Sequence, residues 1–290
     1  MSKSQASILL ALVFAARGTS FIFSKVLMNT MSPMSVLAVR FILSFLILAI
    51  TFFNKLRKCD KRSLRGGLIL GVMYTACMIL EMYGLRLIDS GTSSLIENMA
   101  IVIVPIYIAV STKTPPEKRT MLCAVLAVAG VGFISITQSK VSGGWLGIIL
   151  TILAAVVYAA CITVTHHVSQ NSDPVTIGVI QIGVMGILSL FISLPSGSFS
   201  IPKSSNEWLL MLLLVLVCSC FGFAFQPLGQ KYVSTETAAI FTVINPLTAS
   251  IISIFFTSEH VSFTKIIGYI MIMLALVLYN IKPRHHLDPS

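Results

Sequence analysis

Ten apolar runs follow one another along this chain with little between them, at about residues 7–28, 33–53, 66–86, 91–110, 119–137, 144–165, 175–194, 207–226, 235–256 and 263–281. A helix rises 1.5 Å per residue, so roughly 20 residues cross the hydrocarbon of a bilayer. Each run has that length. Barrel strands are shorter and alternate in polarity, which these runs do not. Composition agrees: 56% of the 290 residues are hydrophobic and 10% are charged, where a soluble domain carries about a quarter charged. A single water-soluble core could not hide so much apolar surface. The expected fold class is an all-α polytopic membrane protein. The first run carries Arg17 in its middle and lacks a convincing small-residue cleavage site, so it reads as a membrane helix rather than a cleaved signal.

The net charge of +10 does not point to nucleic acid, because the basic residues crowd the short connections. With the N-terminus inside, thirteen Lys and Arg residues fall at inner loops and tails and four, Arg86, Lys140, Lys203 and Lys265, at outer ones. That bias places both termini in the cytoplasm of a multi-pass plasma-membrane protein. The longest connections, Asn54–Arg65 and Pro195–Asn206, leave no room for a soluble domain. Any chemistry happens within the bilayer. The six cysteines have no metal-site spacing, and only Cys59 lies outside a span. No metal or cofactor is expected.

The two halves of the chain echo each other. Ser32-Pro33, Gly18 and Arg40 correspond to Asp173-Pro174, Ala159 and Gln181 at an offset of 141. Gly84, Arg86 and Thr92 correspond to Gly229, Lys231 and Thr237 at an offset of 145. This suggests one five-helix unit used twice, 1–138 and 139–290. Five is odd, so the second copy would enter the membrane from the opposite face. Inverted repeats hold their binding site at the repeat interface.

Charge within a bilayer is costly, and each intramembrane ionisable group is a candidate for function. Arg17 lies at mid-depth, with Arg40, Glu97 and Glu81 in the outer half of their spans and Asn98 beside Glu97. These groups read either as a polar binding site, with carboxylates for an ammonium group or a proton, or as a structural lock between Arg40 and Glu97 or Glu81. Lys25 sits where it could snorkel outward. In the second half the corresponding candidates are uncharged: Tyr158, Gln181, Gln226 and Asn245. Tyr74, Phe221 and Phe225 could stack on the apolar body of a solute. Pro105 and Pro246 each remove a backbone hydrogen bond and are candidate helix breaks. Gly67 and Gly71 form a close-contact pair on the third span. His166 and His167 read as interfacial, and His285 and His286 as part of a polar tail.

The chain resembles the EamA family of the drug/metabolite transporter superfamily. The likeness rests on Arg17-Gly18-Thr19-Ser20-Phe21, with arginine where the family usually has tryptophan, on Val39-Arg40-Phe41, and on the run Gly84 to Thr92. Val104-Pro105-Ile106, Thr237-Ala238-Ala239, Asn245-Pro246-Leu247 and Ser258-Glu259 continue it, while Thr114 stands where a partner of Glu259 would fall. The resemblance implies ten helices in two inverted five-helix repeats. It also implies a central cavity lined by helices one to four and six to nine, and export of a solute. The expected function is secondary transport of a small organic metabolite such as an amino acid or amine. The lipid bilayer and the solute are the expected partners, and proton coupling and a homodimer are compatible with the pattern. Transport of a lipophilic or quaternary cation is the alternative, opposed by the two arginines. A non-transporting scaffold is a remote third. No Walker A, HExxH or GxSxG pattern is present, so neither ATP-driven pumping nor an enzyme is expected.

Overall fold

The computed structural model describes residues 1–113, 144–195, 199–242, 244–256 and 263–280, with isolated positions between 118 and 133. The described residues are helical, without strands. In order they form α1 (Lys3–Gly18), α2 (Ser20–Leu27), α3 (Pro33–Thr51), α4 (Phe53–Arg57), α5 (Lys61–Leu87), α6 (Ser90–Glu97) and α7 (Ala100–Thr112). Then come α8 (Gly144–Gln170), α9 (Pro174–Ser193), α10 (Ser205–Leu213), a π-helical segment Leu214–Phe223, α11 (Ala224–Gln230), α12 (Thr235–Phe241), α13 (Ile244–Phe256) and α14 (Phe263–Asn280).

Among the described residues seven stretches are long and apolar enough to span a membrane: Lys3–Leu27, Pro33–Thr51, Lys61–Leu87, Ser90–Val110, Gly144–Gln170, Pro174–Ser193 and Ser205–Gln230. Two shorter apolar helices fall at the ninth and tenth expected spans. The fifth, 119–137, lies mostly outside the described residues, as do the 138/139 boundary, Thr114, Glu259, His285 and His286. The surface is inverted relative to a soluble protein. Ile50 is 79% exposed while Arg40 is 1% exposed. Lipid accepts the apolar exterior, and the buried polar groups must find partners inside.

Helix starts follow local chemistry. Ser32 and Asp173 each cap a helix whose first residue is proline, accepting from Ser35 N at 3.2 Å and Thr176 N at 3.1 Å. Proline at that position has no N–H to lose. Asp60 accepts from Ser63 N and Arg62 N, so α5 begins at Lys61. The expected loop Asn54–Arg65 is therefore largely helical, with a gap only at Lys58–Asp60. Charge ended the apolar pattern there but not the backbone hydrogen bonding.

The elements recur in matched lengths. The 19 residues of α3 match the 20 of α9, and the 27 of α5 match the 26 of Ser205–Gln230. The 13 residues of α7 match the 13 of α13. Contacts recur as well. Helix α3 lies on its counterpart α9, α5 packs on α8 as α11 and the π segment pack on α1, and α7 meets α8 as α13 meets α1. Small residues allow the closest approaches. The expected Gly67 and Gly71 pair receives Ile180 and Val184 of α9.

The helix breaks differ from expectation. Pro246 is the third residue of α13, in a first turn where its missing N–H breaks no bond. The discontinuities lie between α6 and α7 at Asn98–Met99, and between α12 and α13 at Thr242. Ala100 and Ile244, which open the second pieces, are 144 residues apart, so the breaks obey the repeat where the two prolines do not. Pro105 is interior to α7. A third break, at Thr19, separates α1 from α2.

Candidate functional site

The breaks converge on one place. Gly18, just before the Thr19 break, packs so closely on α13 that a Cβ there would lie 2.5 Å from the Asn245 carbonyl oxygen. Helix α6 lies against α2, α8 and α13. A small closed cavity sits at this junction, lined by Arg17, Ser20, Phe21, Met78, Glu81, Glu97, Phe223 and Asn245. Its volume is about 10 Å³, room for about one water. The polar groups have gathered, but the space is shut.

Arg17 is the hub. Its Nη1 donates to the Tyr158 hydroxyl at 3.0 Å and to Gln226 Oε1 at 2.5 Å. Gln226 in turn donates to the Tyr74 hydroxyl at 2.9 Å. The guanidinium lies 4.1 Å from the Phe223 ring centre, 5.0 Å from that of Tyr158 and 5.9 Å from that of Phe14. Fork-shaped donors and a weakly hydrated planar cation suit such a box of hydroxyl, amide and aromatic faces. Both halves of the sequence build it.

Arg40 lies near the same aromatic ring. Its Nε donates to Ser219 Oγ at 2.6 Å, its guanidinium carbon lies 5.7 Å from the Phe223 centroid, and its Nη2 has no partner. The lock between Arg40 and Glu81 or Glu97 is not formed. Among the described residues the ion pair within 4 Å is Lys55–Asp173, at 3.7 Å. Instead the carboxyl groups of Glu81 and Glu97 hydrogen-bond each other. A carboxylate only accepts, so one of the two must carry a proton. Glu97 Oε2 and Asn245 Oδ1 are buried and unpartnered, leaving acceptors at the cavity that a solute could satisfy.

The other expected residues take separate places. Asn98 donates to Ser94 O at the α6 break, and its Oδ1 is unpartnered. Gln181 donates to the Phe223 carbonyl at 3.0 Å and so fixes the end of the π segment rather than lining the cavity. Phe225 is a correction. It packs on Phe52 and Phe221, with ring centres 6.2 and 6.0 Å away, and takes no part in the cavity. Pro105 lies away from it. Lys25 does not snorkel. Its ammonium caps α5 by donating to the carbonyls of Leu85, Arg86 and Ile88. His166 Nδ1 bonds the Gln230 carbonyl at 3.0 Å.

Sequence reasoning missed Phe223, Ser219, Ser20, Phe21 and Met78. Phe223 was hidden by its neighbours, because phenylalanine occupies 221, 223 and 225, and a normal helix would aim these rings at different sides. A ten-residue π segment ends at Phe223 and decides which ring meets the arginines. The one available signal was Gly222, where a Cβ would lie 2.8 Å from Arg17 Cγ. An isolated glycine within a helix often marks such a close approach.

The description of the EamA-like transporter family matches this chain twice, over residues 5–136 and 145–281. An uncharacterized transporter of Archaeoglobus fulgidus is 24% identical over 276 residues, which are 94% of this chain and 85% of that protein. The Bacillus subtilis uncharacterized transporter YwfM is 23% identical over 59% of this chain and 58% of its own length. A solved crystal structure superposes with a TM-score of 0.70 at 13% identity, over 96% of this chain and 98% of the other, which supports the fold alone. Two matches that together take in nearly every residue, on a bundle with an apolar exterior and a charged centre, settle the family: this multi-pass membrane protein belongs to the EamA-like transporters.

Proposed function

We propose that the chain is a secondary transporter of ten helices in two inverted five-helix repeats, 1–138 and 139–290, that exports a small organic metabolite by alternating access. Both termini lie in the cytoplasm of a bacterial plasma membrane. The observation that carries this reading is the bonding of Arg17, from the first repeat, to Tyr158 and Gln226, from the second, beside a cavity shut to about 10 Å³. A binding site that both repeats build, and that no solute fits as it stands, is what an occluded intermediate requires. Rocking of one repeat against the other would part Arg17 from Gln226 and Tyr158 and open the site to one face. The helix breaks at Thr19, at 98–99 and at Thr242 provide the places where the backbone can bend.

Transport of a quaternary cation has less support, because the aromatic faces of Phe223, Tyr158 and Phe14 are already occupied by Arg17. The test is accessibility. Ser20 lines the cavity and is 7% exposed. Ser20→Cys, in a chain whose six native cysteines are replaced by alanine, should react slowly with a membrane-impermeant thiosulfonate applied from either side of the membrane. Reaction from one side alone, or from neither, would sink the alternating-access reading.

A further inference from the structure

The charges at the centre do not balance. Arg17 and Arg40 are permanent cations. The hydrogen-bonded Glu81–Glu97 pair holds at least one proton and so carries at most a single negative charge. Among the described residues the other groups facing the pair are Cys77 from α5 and Tyr158 and Cys161 from α8, all neutral in their ordinary forms. Among the described residues the cluster is thus at least one positive charge in excess, with neither guanidinium within 4 Å of a described carboxylate oxygen. An uncompensated charge in the interior costs several kcal/mol. A monoanion would cancel it. The unpartnered atoms describe the rest of the ligand: Arg40 Nη2 asks for an acceptor, and Glu97 Oε2 and Asn245 Oδ1 ask for a donor.

A second opening in the bundle points the same way. At the end of the bundle that carries the N-terminus, an open vestibule of about 480 Å³ is lined by Lys3, His166, Lys231, Ser7, Gln170 and Thr237, among others, with no carboxylate among the described lining residues. A concave basic mouth raises the local concentration of anions and turns cations away.

We infer that the solute is a small organic anion bearing an O–H or N–H donor, and that it occupies the site together with one proton held between Glu81 and Glu97, as an electrically neutral pair. This deepens the transporter reading and rests on it. On loading, the carboxylate of the solute meets the arginine side of the cluster and its donor group meets Glu97 and Asn245. The proton enters with it from one face and leaves with it at the other. When the pair gives up its proton the empty site is neutral, with two cations and two anions, and an arriving anion becomes the uncompensated charge. Loss of the proton therefore weakens binding of an anion. A zwitterion has the opposite preference, since it suits the neutral, deprotonated site.

The sign of the pH dependence tests this. Detergent-purified full-length protein is titrated from about pH 5 to about pH 9, following the infrared carbonyl band of protonated carboxyl groups. Thermal stabilisation is measured over the same range with three mixtures: hydroxy acids (lactate, glycerate, gluconate), amino acids (alanine, serine, leucine) and amines (ethanolamine, choline, putrescine). The expected result is a carboxyl band that is absent from the double variant Glu81→Gln/Glu97→Gln and disappears within the range. Stabilisation by the hydroxy acids should be constant at low pH. Above the pH at which the band vanishes, apparent affinity should fall by up to about tenfold per pH unit. In the double variant the constant region should extend to the top of the range. No such band at any pH, or a band that persists unchanged to the top of the range, overturns the shared and exchangeable proton. Stabilisation by amino acids that strengthens as pH rises, or by amines alone, overturns the anion. So does the absence of stabilisation by all three mixtures while Ser20→Cys still opens to both faces, and in each of these cases the transporter reading survives.

Discussion

Gly178→Ala and Gly183→Ala are the same substitution on the same helix, both at buried positions, yet the structure separates them. A Cβ at Gly178 would lie 2.1 Å from the carbonyl oxygen of Ala224, and 2.8 and 2.9 Å from two further backbone atoms of that residue. Ordinary contact begins near 3.4 Å, so α9 and the start of α11 must part by about 1 Å, and no side chain can turn to relieve them. Overpacking of this kind costs typically 1–3 kcal/mol, and a backbone obstacle belongs at the upper end. Alanine returns up to about 1 kcal/mol of helix propensity. The net loss should be about 2 kcal/mol, roughly a thirtyfold fall in the folded-to-unfolded ratio. At Gly183 the Cβ meets the ring of Phe45 at 2.7 Å. That side chain is only partly buried and can swing, so the net change should stay within about 1 kcal/mol. Reversible unfolding by sodium dodecyl sulfate in mixed micelles measures both. Gly178→Ala should also weaken solute binding, because Ala224 follows Phe223 and the displaced backbone carries that ring away from Arg17. Equal losses at the two glycines, or an unchanged site in a destabilised Gly178→Ala, would refute the reasoning.

Arg17→Lys should keep the fold and lose solute-dependent stabilisation by at least about tenfold, since one ammonium cannot hold Tyr158 and Gln226 while lying on Phe223, and hydrogen bonds to charged groups contribute about 1.5–3 kcal/mol. Lys25→Met leaves the carbonyls of Leu85, Arg86 and Ile88 without their ammonium cap, and amide hydrogen exchange over the last turn of α5 should quicken while exchange at its middle does not. A membrane-impermeant maleimide applied to the cytoplasmic face should label Cys59 and spare the other five cysteines, which are buried. Burial and the charges of Asp60 and Asp173 push the Cys59 thiol up, so labelling should accelerate as pH rises past the ordinary thiol range. Labelling from the outer face instead would reverse the assigned orientation.

The sequence was readable where a signal is local. Seven of the apolar runs, the Ser32-Pro33 and Asp173-Pro174 starts and the glycine contacts on α5 appear in the structure, because each depends on neighbouring residues or on the helical period alone. Arg17, Glu81 and Glu97 stood out because intramembrane charge is costly wherever it falls. Their partners were not legible. The Arg40–carboxylate lock failed because depth along a span says nothing about direction around it. Phe225 was chosen over Phe223 because the π segment Leu214–Phe223 turns the helix by an amount no residue in it announces. Pro246 was taken as a break because proline is read as one wherever it falls within an apolar run, while its cost depends on where the helix begins.

By itself, then, the sequence determined that the chain lives in a membrane, that it crosses it several times, and that polar groups must be gathered in its interior. Those follow from transfer free energies, which sum over residues whatever their arrangement. The tertiary structure decided which carboxyl meets which: Glu81 with Glu97, not with an arginine. It decided that both arginines meet Phe223 and that Arg17 joins the halves. Such pairings depend on helix rotation and crossing set by packing across the whole bundle, and the charge balance at the centre exists only once those choices are made.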